Sequence, residues 1–229
     1  MGAPPSPPSG GRGLSTRLRT AKGRSKASQR WLERQLNDPY VRAAREGGLR
    51  SRSAFKLMEL DDKHHLLRRG ARVLDLGAAP GGWTQVATER TAPTGRVVAV
   101  DLLPMDPIPG ATLVQGDFGD ESVEAAALAA LGGAADLVLS DMAPNTTGHG
   151  ATDHLRIMAL AELALDTALK ALSPGSGFVA KVFQGGGERG FLESLKRNFR
   201  AVRHAKPPAS RKDSSELYVV AIGFRGREG

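Results

Sequence analysis

Chemistry is first suggested in this sequence by a run of small residues, Gly77-Ala78-Ala79-Pro80-Gly81-Gly82-Trp83, entered from the apolar stretch Val73-Leu74-Asp75-Leu76. A strand feeding a Gly-rich turn that opens a helix is a place where nucleotide cofactors bind. Glycine lets the backbone approach the ligand, and the crevice lies beyond the carboxyl ends of the strands. The spacing is not G-x-G-x-x-G, and Pro80 lacks an N–H that a pyrophosphate cradle would use, so a dinucleotide is disfavoured. Asp101 closes the next apolar stretch 24 residues after Gly77, where a carboxylate can accept hydrogen bonds from both ribose hydroxyls. Asp117, in Gln115-Gly116-Asp117-Phe118, closes the one after and could accept from an adenine amino group. A lone Asp at a strand end is ordinarily a cap or turn residue. Three such features at successive strand ends describe an adenosine-shaped site.

Strands must carry these positions, and the pattern supplies them near 72–76, 97–101, 112–115, 137–140, 178–182, 201–204 and 217–224, with helices near 53–59, 84–89, 123–131, 155–171 and 191–199. Ahead of them, 31–45 has helical spacing at Trp31, Leu32, Leu36 and Tyr40 and reads as one basic helix. Alternation of strand and helix predicts an α/β fold with a mostly parallel sheet covered on both faces.

At 229 residues the economical organisation is one domain, 31–229, preceded by an arm, 1–30, rich in Pro, Gly, Ser and basic residues with no acidic residue before Glu33. The arm reads as disordered, either a tether to RNA phosphates or a solvated tail. Its Arg- and Ser-rich composition also resembles a mitochondrial transit peptide, but it lacks an apolar helical face. A net charge of +8 favours a polyanionic partner, nucleic acid ahead of anionic lipid. No apolar run approaches the roughly 20 residues of a membrane span. Without cysteine, thiolate metal sites and disulfides are excluded, which fits a reducing cytosol. His64, His65, His149, His154 and His204 form no metal-ligand pattern, so no metal is expected. Aromatics at 5% leave little for base stacking, so RNA recognition should lean on shape and backbone. Arg42, Arg45, Arg50 and Arg52, with Arg211-Lys212, are expected to form a phosphate-binding rim.

Six strings carry a more specific signal: Ser53-Ala54-Phe55-Lys56-Leu57, Asp75 through Trp83, Asp101-Leu102-Leu103-Pro104-Met105, Asp141-Met142-Ala143-Pro144-Asn145, Lys181-Val182-Phe183-Gln184-Gly185 and Ser214-Ser215-Glu216-Leu217-Tyr218. In this order, from about Trp31 to Phe224, they resemble the FtsJ (RrmJ) family, in particular its bacterial branch, the ribosomal RNA large subunit methyltransferase E enzymes. The resemblance implies a Rossmann-like methyltransferase fold of seven strands, the last antiparallel, with S-adenosylmethionine as cofactor. It implies a Lys-Asp-Lys-Glu tetrad at Lys56, Asp141, Lys181 and Glu216, and cofactor contacts at Gly81, Trp83, Asp101, Asp117 and Asp141. The implied reaction is methylation of the ribose 2′-hydroxyl of a uridine in 23S rRNA of the large ribosomal subunit, by a cytoplasmic monomer.

The implied chemistry suits those residue types. A protonated 2′-hydroxyl is a poor nucleophile, and a base that removes the proton as the C–O bond forms helps it attack a methyl group. An amine serves only in its neutral form, which burial and a second cation favour, whereas carboxylates oppose that form while holding the amines in place. Taken singly, each residue has a plainer reading: Lys181 as a solvated strand end, Lys56 as part of a basic helix face, Asp141 as a turn residue beside Pro144, Glu216 as a partner of Arg211 or Lys212. Three other functions share features with this one. A sister enzyme of the family would act on tRNA or mitochondrial rRNA, a nicotinamide-dependent oxidoreductase would share the sheet and Asp101, and a non-catalytic RNA-binding ribosome-assembly factor would use the basic surface alone. The stretch from Gly148 to His154 departs from the bacterial pattern, and no substrate contact is assigned to it.

Overall fold

The computed structural model describes residues 26–144, 150–184 and 189–226. Seven strands, β1 (Arg72–Leu76), β2 (Arg96–Asp101), β3 (Ala111–Gln115), β4 (Ala135–Ser140), β5 (Leu172–Phe183), β6 (Phe199–Ala205) and β7 (Glu216–Phe224), form one sheet in the order β3-β2-β1-β4-β5-β7-β6. Strands β1 to β5 run parallel, and β7 is antiparallel to both neighbours. The fold is therefore α/β and Rossmann-like, with the reversed last strand that was expected. The order changes direction between β1 and β4, and the carboxyl ends of strands flanking such a switch point form a crevice.

Both faces are covered. On one, α5 (Glu121–Leu131), α6 (Gly150–Ala171) and α7 (Arg189–Asn198) pack Ala127, Leu131, Met158, Ala164, Leu165, Phe191 and Leu195 against Leu74, Leu76, Val98, Val138 and Phe178. On the other, α2 (Pro39–Glu46), α3 (Ser53–His64) and α4 (Gly82–Thr91) pack Ala44, Phe55, Leu57, Leu60, Trp83 and Val86 against Val73, Val97, Leu139, Val179 and Val220. Strands buried on both faces read as continuous apolar runs, and Val97-Val98-Ala99-Val100 is fully buried. No described helix is long and apolar enough to cross a membrane.

Several boundaries differ from expectation. The stretch read as one helix is two, α1 (Lys26–Asn37) and α2, because Asp38 caps α2 through the Tyr40 N–H (3.0 Å) and Pro39 occupies its first turn. Helix α1 also starts inside the segment read as an arm; residues 1–25 of that arm lie outside the described residues. Phe199, read as the end of a helix, opens β6 and is buried against Phe178 and Phe224.

Candidate active site

Strand alternation decides which side chains share a face. Asp141, just beyond β4, follows Leu139, Lys181 follows Val179, and Glu216 and Tyr218 precede Val220. All three apolar residues lie on the face that α3 and α4 cover. The β5–β7 register sets Lys181 opposite Tyr218 and Phe183 opposite Glu216. Lys56 descends onto this group from the first turn of α3.

The four residues of the expected tetrad are thereby brought into one network. Lys56 Nζ lies 2.7 and 2.8 Å from the two Glu216 carboxylate oxygens. Lys181 Nζ donates to the Asp141 main-chain oxygen (2.7 Å), lies 2.9 Å from Asp141 Oδ1, and is 3.9 Å from Glu216 Oε2. Both lysines are only 8% exposed. Buried ion pairs persist when their lone pairs and protons are satisfied, as they are here. Glu216 is thus held by Lys56, and Ser210 Oγ also donates to its Oε1 (2.9 Å).

A fifth member escaped the sequence reading. The Tyr218 hydroxyl donates to Asp141 Oδ1 (2.6 Å) and accepts from Lys56 Nζ (3.2 Å), joining the two ion pairs. Burial pushes this phenol well above its usual range, reinforced by Asp141 and Glu216, so it remains a donor. A tyrosine inside an apolar strand reads as core, and its partners lie 77 and 162 residues away in sequence. For Asp141, burial alone would raise the carboxyl. Lys181 and Lys56, with the hydrogen bonds from Lys181 and Tyr218, outweigh burial and hold it below the ordinary Asp range. The network therefore carries an ionised carboxylate beside a buried amine, an arrangement that can hold a hydroxyl and stabilise the charge left when its proton moves.

The residues expected on the cofactor side lie at or just beyond the carboxyl ends of the neighbouring strands β1, β2 and β3. Asp101 Oδ2 accepts from Ala79 N (2.8 Å) and Oδ1 from Leu103 N (2.8 Å), which fixes its carboxylate while each oxygen keeps acceptor capacity. Asp117 is exposed at the end of β3, with Oδ1 accepting from Gly119 N (2.9 Å). Leu102 and Leu103 follow Asp101 at 64% and 63% exposure. Two glycines are required by the turn: Gly77 has φ +73° with a Cβ position 2.1 Å from Met142 Cγ, and Gly81 has φ +104° with a Cβ position 2.6 Å from Ile108 Cδ1. The N–H groups of Gly77, Ala78, Ala79 and Gly81 bond within the protein, and Pro80 has none. Those N–H groups are therefore spent within the protein rather than offered to a pyrophosphate. Trp83 is 2% exposed, its ring lies 5.5 Å from Tyr218 and its Nε1 donates to Ser53 O (2.8 Å). The Trp83 side chain is therefore engaged wholly within the protein.

Two arginines of the expected phosphate rim are half-buried and bonded within the protein instead. Arg50 donates to Pro80 O (3.3 Å), Asp106 O (2.8 Å) and Pro107 O (2.7 Å), fastening the Gly-rich turn to the loop after β2. Arg52 pairs with Asp38 (2.9 Å), donates to Ala209 O and stacks over Tyr40. Backbone carbonyls and a carboxylate outcompete solvent for both groups. Arg211 reaches Asp38 at 3.5 Å, and Glu59 accepts from Ala209 N (2.7 Å) and Tyr40 OH (3.1 Å). Helices α2 and α3 thus anchor the β6–β7 loop that carries Ser210. Arg42, Arg45 and Lys212 remain exposed.

Fold and site together are those of a methyltransferase, and the chain belongs to the FtsJ-like methyltransferase family, whose model matches residues 49–224. It is 66% identical over 219 residues to a ribosomal RNA large subunit methyltransferase E of Granulibacter bethesdensis, covering 96% of this chain and 94% of that protein. It is 65% identical over 214 residues to the enzyme of the same name from Acidiphilium cryptum, covering 93% and 94%. Among solved structures, one from Plasmodium falciparum described as a ribosomal RNA methyltransferase superposes with a TM-score of 0.69 at 31% identity, over 78% of this chain and all of that one.

Proposed function

We propose that this chain transfers a methyl group from S-adenosylmethionine to the ribose 2′-hydroxyl of a uridine in 23S rRNA of the large ribosomal subunit, acting as a cytoplasmic monomer. The observation that carries this reading is Lys181: a buried amine paired with Asp141 and linked through Glu216 and Tyr218 to Lys56, beside a turn built for adenosine rather than pyrophosphate. The names of the relatives support rRNA as the acceptor.

When bound, S-adenosylmethionine supplies a methyl group already activated by its sulfonium charge. Asp101 would hold the ribose hydroxyls and Asp117 the adenine amino group, while Gly81 and the Trp83 main chain would allow close approach. Asp141 would touch both halves of the site. Lys181 positions the acceptor hydroxyl and, once its own proton has passed to solvent, takes the hydroxyl proton as the C–O bond forms, and Asp141 stabilises the resulting ammonium. Lys56 and Glu216 keep the buried charges balanced, and Tyr218 fixes Asp141 in place. Holding hydroxyl oxygen and methyl carbon nearly in line supplies several kcal/mol of the barrier. Arg42, Arg45, Lys212 and the 1–30 segment meet RNA phosphates.

The test is transfer of labelled methyl from S-adenosylmethionine to isolated large subunits, free 23S rRNA and tRNA, followed by mapping of alkaline-resistant sites. Alkali resistance at a 23S uridine is expected. Methylation of tRNA alone would move the acceptor to the sister class, and methylation of a base would overturn the mechanism. A non-catalytic assembly factor would retain its cellular role in the Lys181→Ala variant.

A further inference from the structure

We propose that Asp75 is a proton-holding positioning residue beneath the cofactor turn, partly protonated at neutral pH in the cofactor-free protein and ionised when a sulfonium-bearing ligand binds, so that cofactor binding releases a proton to solvent. The proposal rests on the S-adenosylmethionine reading above. No bond of the cofactor is made or broken in this step: the carboxylic acid becomes a carboxylate and its proton passes to water.

Placement carries the argument. Asp75 lies in β1 two residues before Gly77, on the face shared by Val73 and the lysine–carboxylate network. It is 0% exposed. Its Oδ2 accepts from Thr84 Oγ1 at 2.7 Å, whereas Oδ1 has no hydrogen-bond partner among the described residues. Across the sheet its neighbours are Ala99 and Leu139, which offer no charge. The charged groups that bear on it are Asp141 from the end of β4 and Asp101 from the end of β2, both acidic, while Lys181 and Lys56 are engaged by Asp141 and Glu216. A carboxylate in that position would be buried, half-satisfied and repelled, so the acid form is favoured. Burial, with the two acids, pushes the carboxyl up to about 7 despite the Thr84 bond.

A ligand bringing a sulfonium cation into this cleft supplies the opposite charge that the protein withholds. The spent thioether has no such charge. Donor and product therefore differ in how strongly they displace the proton, and by linkage the ionised carboxylate favours donor over product in the cleft. If Asp75 merely tied β1 to α4 through Thr84, an asparagine would keep the tie and no proton would move.

The test is calorimetric binding of S-adenosylmethionine and S-adenosylhomocysteine to the full chain at pH 6, 7 and 8, in buffers of different ionisation enthalpy. The amino group of either ligand can also exchange a proton, so the quantity read is the release that Asp75→Asn removes. For S-adenosylmethionine at pH 7 this is expected to be about half a proton, and for S-adenosylhomocysteine much less. Thr84→Val, which strips the hydrogen bond that lowers the carboxyl, should move the pH of greatest release upward and serves if Asp75→Asn does not fold. Equal release for the two ligands, or release unaltered by both variants, overturns the inference while leaving the cofactor reading intact. Binding of neither ligand overturns both.

Discussion

Asp75 and Asp141 belong to neighbouring strands, face the same side of the sheet and are both withdrawn from water, yet their carboxyls are driven in opposite directions. Asp141 retains 14% side-chain exposure and is met by Lys181 at 2.9 Å and by the Tyr218 hydroxyl. Its carboxyl is held below the ordinary range. Asp75 has complete burial and a threonine, and its carboxyl rises to about 7. Burial acts the same way on both. What differs is whether a cation compensates it, so the lysines of the network set the charge state of their partner.

Lys181→Ala breaks the compensated half outright. Transfer should fall by about 10³-fold or more while the affinity for S-adenosylmethionine stays nearly unchanged, as single-turnover rates and calorimetry would show. An equal collapse of cofactor binding would mean that Lys181 supports the cofactor rather than the acceptor.

Asp75→Asn probes the uncompensated half through stability. Between its unfolded value near 3.8 and its folded value near 7, Asp75 keeps a proton that the unfolded chain has released, so the wild type loses stability as pH rises through that window and levels off above it. The variant lacks that slope. Relative to wild type, urea unfolding should show it gaining about 3 kcal/mol between pH 5 and pH 8. Asp141 has the opposite sign: its stabilising contribution is present above the unfolded Asp value and is lost only as pH falls below it, so it adds no slope in this range.

Smaller effects sharpen the contrast. A Lys56→Ala and Glu216→Ala double-mutant cycle should give a coupling of about 1–3 kcal/mol in transfer, because either single change leaves a buried charge unmatched and the second change removes it. Additive losses would show that the ion pairs act independently. Tyr218→Phe deletes a neutral hydroxyl and no charge, so a loss of only about tenfold in rate is expected, with folding retained.

The sheet was legible because strands buried on both faces announce themselves as apolar runs, and Asp101 and Asp117 fall at the ends of such runs, as their places in the sequence suggested. That Lys56, Asp141, Lys181 and Glu216 come together was suggested only by family strings, since they come from one helix, two strands and the segment just beyond a third, and no local pattern joins them. Tyr218 and Ser210 stayed hidden, as polar tips whose partners are set by tertiary packing alone. Arg50 and Arg52 misled for a related reason. Basic residues clustered in sequence read as an outward patch, but the carbonyls of 80, 106, 107 and 209 that capture them are brought close only by the fold. The break between α1 and α2 was written in Asp38-Pro39, yet the apolar spacing continued across it.

Arg50 also bears on how the crevice breathes. One guanidinium ties the turn at Pro80 to the loop at 106–107, and Ile108 closes under Gly81. The turn and the loop should therefore open as a single cooperative unit rather than as two independently fraying segments. The amides of Gly81 and Ala111, which bond to Ala78 and Ile108, should then exchange with solvent deuterium at matching opening free energies. Arg50→Ala should lower both together and leave the amides of β5 protected, whereas unequal changes would show that the two segments open separately.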